Sequence, residues 1–115
     1  MAPLRDPRIQ AAFKHVLEQG LRFSGYVTWR PRAQEWVRTE LPNVTLKAIA
    51  ELMYQHVDSG GKIDQVRETR EPWLDFQFHY DLRLTVDGRR IYLETILLSE
   101  DPDDPEIQVV NIHDA

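Results

Sequence analysis

His79, Arg83, Arg90, Tyr92, Glu94 and His113 are the residues whose types and spacing could do chemistry. His79, Asp81 and Arg83 fall at every second position, as do Arg90, Tyr92 and Glu94, so in extended chain each set lines one face. This inventory suits work on a phosphodiester. Arginine binds phosphate in a forked geometry and stabilises charge developing in a transition state, while histidine or a carboxylate moves protons near neutral pH. A tyrosine can stack on a base or orient a 2′-hydroxyl. The same residues also admit a plain structural reading, in which Arg83 pairs with Asp81 and Glu94 across two strands.

The element that must position them is a hairpin. From Phe76 to Val86 the even positions are Phe76, Phe78, Tyr80, Leu82, Leu84 and Val86, and the odd ones are Gln77, His79, Asp81, Arg83 and Thr85. One face is core and the other is wet. Asp87-Gly88 is a strong signal for a two-residue turn, whose central residues both need positive φ. Such a turn pairs Val86 with Arg89, Leu84 with Ile91, Leu82 with Leu93, Tyr80 with Thr95 and Phe78 with Leu97. On the other face it sets Thr85 opposite Arg90, Arg83 opposite Tyr92, Asp81 opposite Glu94 and His79 opposite Ile96. A last strand over residues 107–112, apolar on both faces and therefore central, brings His113 and Asp114 near Arg90 and Tyr92 if it runs antiparallel.

Upstream of the hairpin the period is 3.6. Asp6-Pro7 caps a helix with Ile9, Ala12, Phe13, Val16 and Leu17 on one face, ending at Gly20. Residues 21–29 read as a short strand or bent extended segment. Pro31 opens a second helix (Ala33, Trp36, Val37, Leu41), and Thr45 caps a third (Leu46, Ile49, Ala50, Met53, Val57) that stops at Gly60-Gly61. Residues 62–69 read as a modest strand. The expected fold is one α+β domain over residues 1–115, with two to three helices packed on a mainly antiparallel sheet of about four strands.

The chain has 115 residues, 42% apolar and 29% charged, which suffices for one core and argues against both disorder and a membrane span. There is no cysteine, so disulfides and thiolate metal sites are excluded. Without a secretory-type apolar start, the expected location is cytoplasmic. The net charge of −5 argues against nucleic-acid binding through overall charge. Residues 1–50 nevertheless carry net +4, and much of the acidity is one segment, 99–106, with five acids. That segment lacks the glycine and alternating ligands of a calcium loop and reads as a solvated turn.

Two further patterns bear on function. Trp29, Arg30 and Arg32 interleave an aromatic with cations as single-strand binders do, and form a candidate RNA-binding segment, with Arg22 and Arg38 nearby and Trp36 assigned to the core. His79, Asp81, His113 and Asp114 have a spacing that two-histidine, carboxylate metal sites use, but it is common by chance, so no metal and no cofactor is expected. Trp73 reads as an anchor at the entry to the long strand. Ile96 and Leu98, on the wet face, require a cover there: the last strand, the N-terminal helix or another subunit.

The segments Trp73-Leu74-Asp75 and Gly88-Arg89-Arg90-Ile91-Tyr92-Leu93, following a helix that closes on Gly60-Gly61, resemble the RelE-like superfamily of small toxins, in particular its MqsR-type members. The similarity spans roughly residues 26–113 and leaves the helix within residues 1–20 outside the pattern. It implies a small antiparallel sheet with helices on one face and metal-independent endoribonuclease action on mRNA from the other. It also implies that Arg83, Arg90 and Tyr92 bind and polarise the scissile phosphate, and that His79 or His113 acts as acid or base. An antitoxin partner is implied with it. The competing expectation is a non-catalytic protein-binding or regulatory module, with a homodimer among its forms.

Overall fold

The computed structural model describes residues 2–115. Its elements in chain order are β1 (Ala2–Pro3), α1 (Pro7–Gly20), β2 (Val27–Trp29), α2 (Pro31–Glu40), α3 (Leu46–Asp58), β3 (Asp64–Arg67), β4 (Phe78–Val86), β5 (Arg89–Ser99) and β6 (Glu106–Asp114). Three helices pack on one face of a sheet of order β1-β3-β4-β5-β6-β2, which is antiparallel throughout except where β2 joins β6 in parallel.

The helices begin where the capping chemistry dictates. The Asp6 carboxylate accepts from the Arg8 N–H and Pro7 occupies the first turn of α1, while the Thr45 hydroxyl accepts from the Ala48 N–H of α3. Past α3 the chain reverses through Gly60 (φ +80°) and Gly61, where a Cβ would lie 2.5 Å from the His56 carbonyl oxygen, so no other residue fits. Phe13, Val16 and Leu17 of α1, Val37 of α2, and Ile49 and Met53 of α3 meet Leu82, Leu84, Ile91, Leu93, Ile107 and Ile112 of the sheet in one core. Burying each such side chain contributes on the order of 2 kcal/mol.

The hairpin forms in the expected register. Asp87 (φ +50°) and Gly88 (φ +78°) make the turn, and the ladder runs from Val86–Arg89 through Arg83–Tyr92 and Asp81–Glu94 to Tyr80–Thr95. β6 is internal, flanked by β5 and β2, as its two-sided apolarity requires. Tyr92 faces His113 across β5 and β6, and register shifts near Val110 and Leu98 leave an extra residue on each strand in turn.

The sheet departs from the expected four strands in two ways. β1 and β2 add two short edges of two and three residues, too brief to show any alternation in sequence. β1 tolerates Pro3 because it lies at an edge, where one side of the strand needs no ladder donor. The sheet is also mixed, because β2 enters the layer in the same direction as β6.

The face away from the helices, the far face below, is covered from within the chain. Residues 68–77 cross it: Arg70 reaches Glu94 of β5, and Trp73 lies under the Arg30 guanidinium, 5.3 Å from ring centre, next to β6. Ile96 and Val110 are buried yet stand outside the main core cluster, which this crossing explains. The cover that Ile96 demands is therefore this loop, and Trp73 anchors it to Arg30 rather than at the entry to β4. Within the acidic segment 99–106, residues 100–104 form an exposed turn between β5 and β6, tied to α1 by an Arg8–Glu100 ion pair, while Ser99, Pro105 and Glu106 are at least partly buried. Among the described residues no helix is long and apolar enough to cross a membrane.

Candidate functional site

Strand alternation places His79, Asp81 and Arg83 on the far face of β4, and Arg90, Tyr92 and Glu94 beside them on β5. What forms there is a connected polar network rather than an open patch. Asp81 is 1% exposed and accepts two hydrogen bonds: one from His79 Nδ1 to Oδ1 at 2.6 Å, the other from the Tyr92 hydroxyl to Oδ2. Burial pushes the Asp81 carboxyl above the ordinary range, against the pull of the Tyr92 and His79 hydrogen bonds. Burial and the adjacent Asp81 also raise the Tyr92 phenol, so Tyr92 remains the donor.

An ionised Asp81 keeps the proton on His79 Nδ1 and leaves the lone pair on Nε2. Nε2 has no hydrogen-bond partner among the described residues, and His79 as a whole is 8% exposed. A histidine oriented by a carboxylate, with its second nitrogen free of a hydrogen bond, is the arrangement of a general base.

Arg83 binds Asp64 of β3 and lies 4.8 Å from the centre of the Tyr92 ring; Lys62 Nζ completes the Asp64 pairing at 3.3 Å. The Lys62 contact is an ion pair rather than an aligned hydrogen bond, since Asp64 Oδ1 lacks one. His113 stacks on Tyr92 at 5.1 Å and stands 3.7 Å from Glu94. Arg70 joins Glu94 (2.6 Å) to Glu68 (2.9 Å). Burial opposes the charge on Glu68, but the Arg70 side chain and backbone outweigh it and hold the carboxyl below its ordinary range, with His79 helping.

Of the residues singled out by sequence, His79, Arg83, Tyr92, Glu94 and His113 are brought into this network. Arg90 is not. It faces Thr85, on the order of 20 Å along the strands from the level of His79, and makes one long contact to the Thr85 hydroxyl at 3.4 Å. The RNA-binding candidates are also divided: Trp29 packs against the core, Arg30 turns to Trp73, and Arg32 is exposed on α2. Asp114, the fourth residue of the metal spacing, is bound instead to Arg89, which also holds Glu40 of α2. Among the described residues no three His, Asp or Glu side chains converge to hold a metal ion.

Sequence reasoning missed Asp64, Glu68 and Arg70. A carboxylate in the strand paired with β4 was a readable signal for Asp64; nothing local marked Glu68 and Arg70, which the path of the loop brings in.

No protein-family model matches the chain, and neither a curated protein nor a solved structure is similar to it. The chemistry of the far face therefore stands on its own geometry.

Proposed function

We propose that the far face is a metal-independent acid–base site acting on RNA phosphodiesters, with His79 as the proton-transfer group. The observation that supports it is the Asp81–His79 pair, whose Nε2 makes no hydrogen bond among the described residues. In this reading Nε2 takes the proton of a ribose 2′-hydroxyl, the 2′-oxygen attacks phosphorus, and the 5′-oxygen leaves and is protonated from solvent. Arg83 meets the phosphate and Arg90 a phosphate further along the strand. The resemblance to RelE-like toxins supplies the substrate class, and an antitoxin-like partner belongs to the same proposal. His113 lies two strands over and level with Arg83 rather than with His79; in this reading it contacts a neighbouring nucleotide.

One observation favours a second reading, a non-catalytic binding or regulatory face. Arg70 and Arg83, the arginines of the network, are both bound to carboxylates with almost no exposure, Glu68 and Asp64. Drawing either arginine fully onto a phosphate would leave a buried carboxylate short of its partner, at about 3–5 kcal/mol. A single-turnover assay on RNA separates the two: cleavage lost in His79→Asn supports the acid–base site, and no cleavage by the wild-type chain supports the binding face.

A further inference from the structure

β2 leaves most of one side of its backbone without a partner among the described residues. The Tyr26 carbonyl accepts from the Ile107 N–H and the Arg30 N–H donates to the Val109 carbonyl, so the parallel ladder points both groups of Thr28 toward β6. The N–H and C=O of Val27 and Trp29 therefore point away from the sheet. Among the described residues only the Trp29 carbonyl of these four groups is occupied, by the Gln34 side chain at 3.2 Å.

Beside this free edge lies a groove of about 390 Å³, with Val27, Trp29 and Leu46 among its apolar lining. Phe23, 58% exposed and one of two large apolar side chains left so open among the described residues, forms its lip. Arg22 and Lys47 also line it; both are exposed and neither makes an ion pair among the described residues. Seven other cations, Arg8, Lys14, Arg38, Lys62, Arg70, Arg83 and Arg89, hold carboxylates, and Arg30 and Arg67 lie over aromatic rings; of the cations without an ion pair among the described residues, Arg22 and Lys47 are the two that line this groove.

We propose that this edge and groove form a docking site for an extended acidic peptide segment of a partner protein, which adds a strand to β2, seats alternate apolar side chains in the groove and sets carboxylates on Arg22 and Lys47. The site is separate from the far-face network. A peptide offers alternating donors and acceptors, which the Val27 N–H, the Val27 carbonyl and the Trp29 N–H need together; a phosphodiester backbone supplies acceptors for the N–H groups but no matching donor for the carbonyl. Its side chains alternate with the period that places Val27 and Trp29 on one side. The unpaired cations select acidic over basic sequence.

The test is titration of the full ¹⁵N-labelled chain with a synthetic eight-residue peptide alternating valine and glutamate. Parallel titrations use the same peptide with lysine for glutamate and a single-stranded octaribonucleotide. The expected result is amide shifts centred on Val27, Trp29 and Phe23 for the acidic peptide alone. Hydrogen exchange at the Val27 and Trp29 amides should slow on binding, while Thr28, already bonded to β6, is protected in both states. Arg22→Glu/Lys47→Glu should weaken binding by about tenfold or more with melting unchanged. Four results would overturn the proposal: no shifts at millimolar peptide, equal binding of the lysine peptide, shifts at these amides with the RNA and not the peptide, or concentration-dependent protection without peptide, which would assign the edge to a second copy of the chain.

Discussion

Asp64 of β3 and Asp81 of β4 are register partners, directly opposite each other, and each is 1% exposed. Two like charges so placed repel. The pair persists because each carboxylate has its own partners: Arg83 and Lys62 for Asp64, His79 and Tyr92 for Asp81. The far face is organised around this division.

Removing the cation of the first half should expose its cost. Arg83→Ala leaves Asp64 buried with Lys62 alone and is expected to destabilise by about 3 kcal/mol, the low end for a buried pair because Arg83 is partly exposed. Adding Asp64→Asn should recover part of that loss in a urea denaturation cycle. Strict additivity of the two changes would mean that the pair is not coupled.

Tyr92→Phe tests the second half. The change keeps the ring that stacks on His113 and carries Arg83, and deletes only the hydroxyl that donates to Asp81. Leaving that oxygen unmet should cost about 1–3 kcal/mol by equilibrium unfolding. A change within error would show that water replaces the hydroxyl and that Asp81 is less sealed than its burial indicates.

The pH dependence should carry the sign of Glu68. Its folded carboxyl titrates below its ordinary value, so it contributes stability above the unfolded value near 4.3, and that contribution is lost as pH falls through the folded value. Melting of the wild type should drop more steeply below about pH 4 than that of Glu68→Gln. Parallel curves would place the acid sensitivity in another group.

The hairpin was legible because three signals agreed: even-position apolarity from Phe76 to Val86, a turn pair suited to positive φ, and a return strand whose core residues matched in register. Asp6, Thr45 and Gly60-Gly61 marked helix boundaries for similar local reasons. What stayed hidden was non-local. β1 and β2 are too short to carry a period, and nothing in residues 68–77 foretells that they lie across the far face. That path turns an apparently open patch into a network, since Glu68 and Arg70 arrive with it and Arg70 claims Glu94. Residue types thus located the candidate site, but its charge balance depended on contacts between distant segments.

The central claim is that His79, held by Asp81, moves a proton during RNA cleavage. The direct measurement is single-turnover cleavage of a labelled single-stranded RNA by the wild type and by His79→Asn, with thermal melting of both as the control for folding. The account predicts cleavage by the wild type and a fall of about 100-fold or more in a variant that stays folded. Cleavage at equal rates, or none by the wild type at enzyme excess, would contradict it and leave the far face as a structural or binding surface.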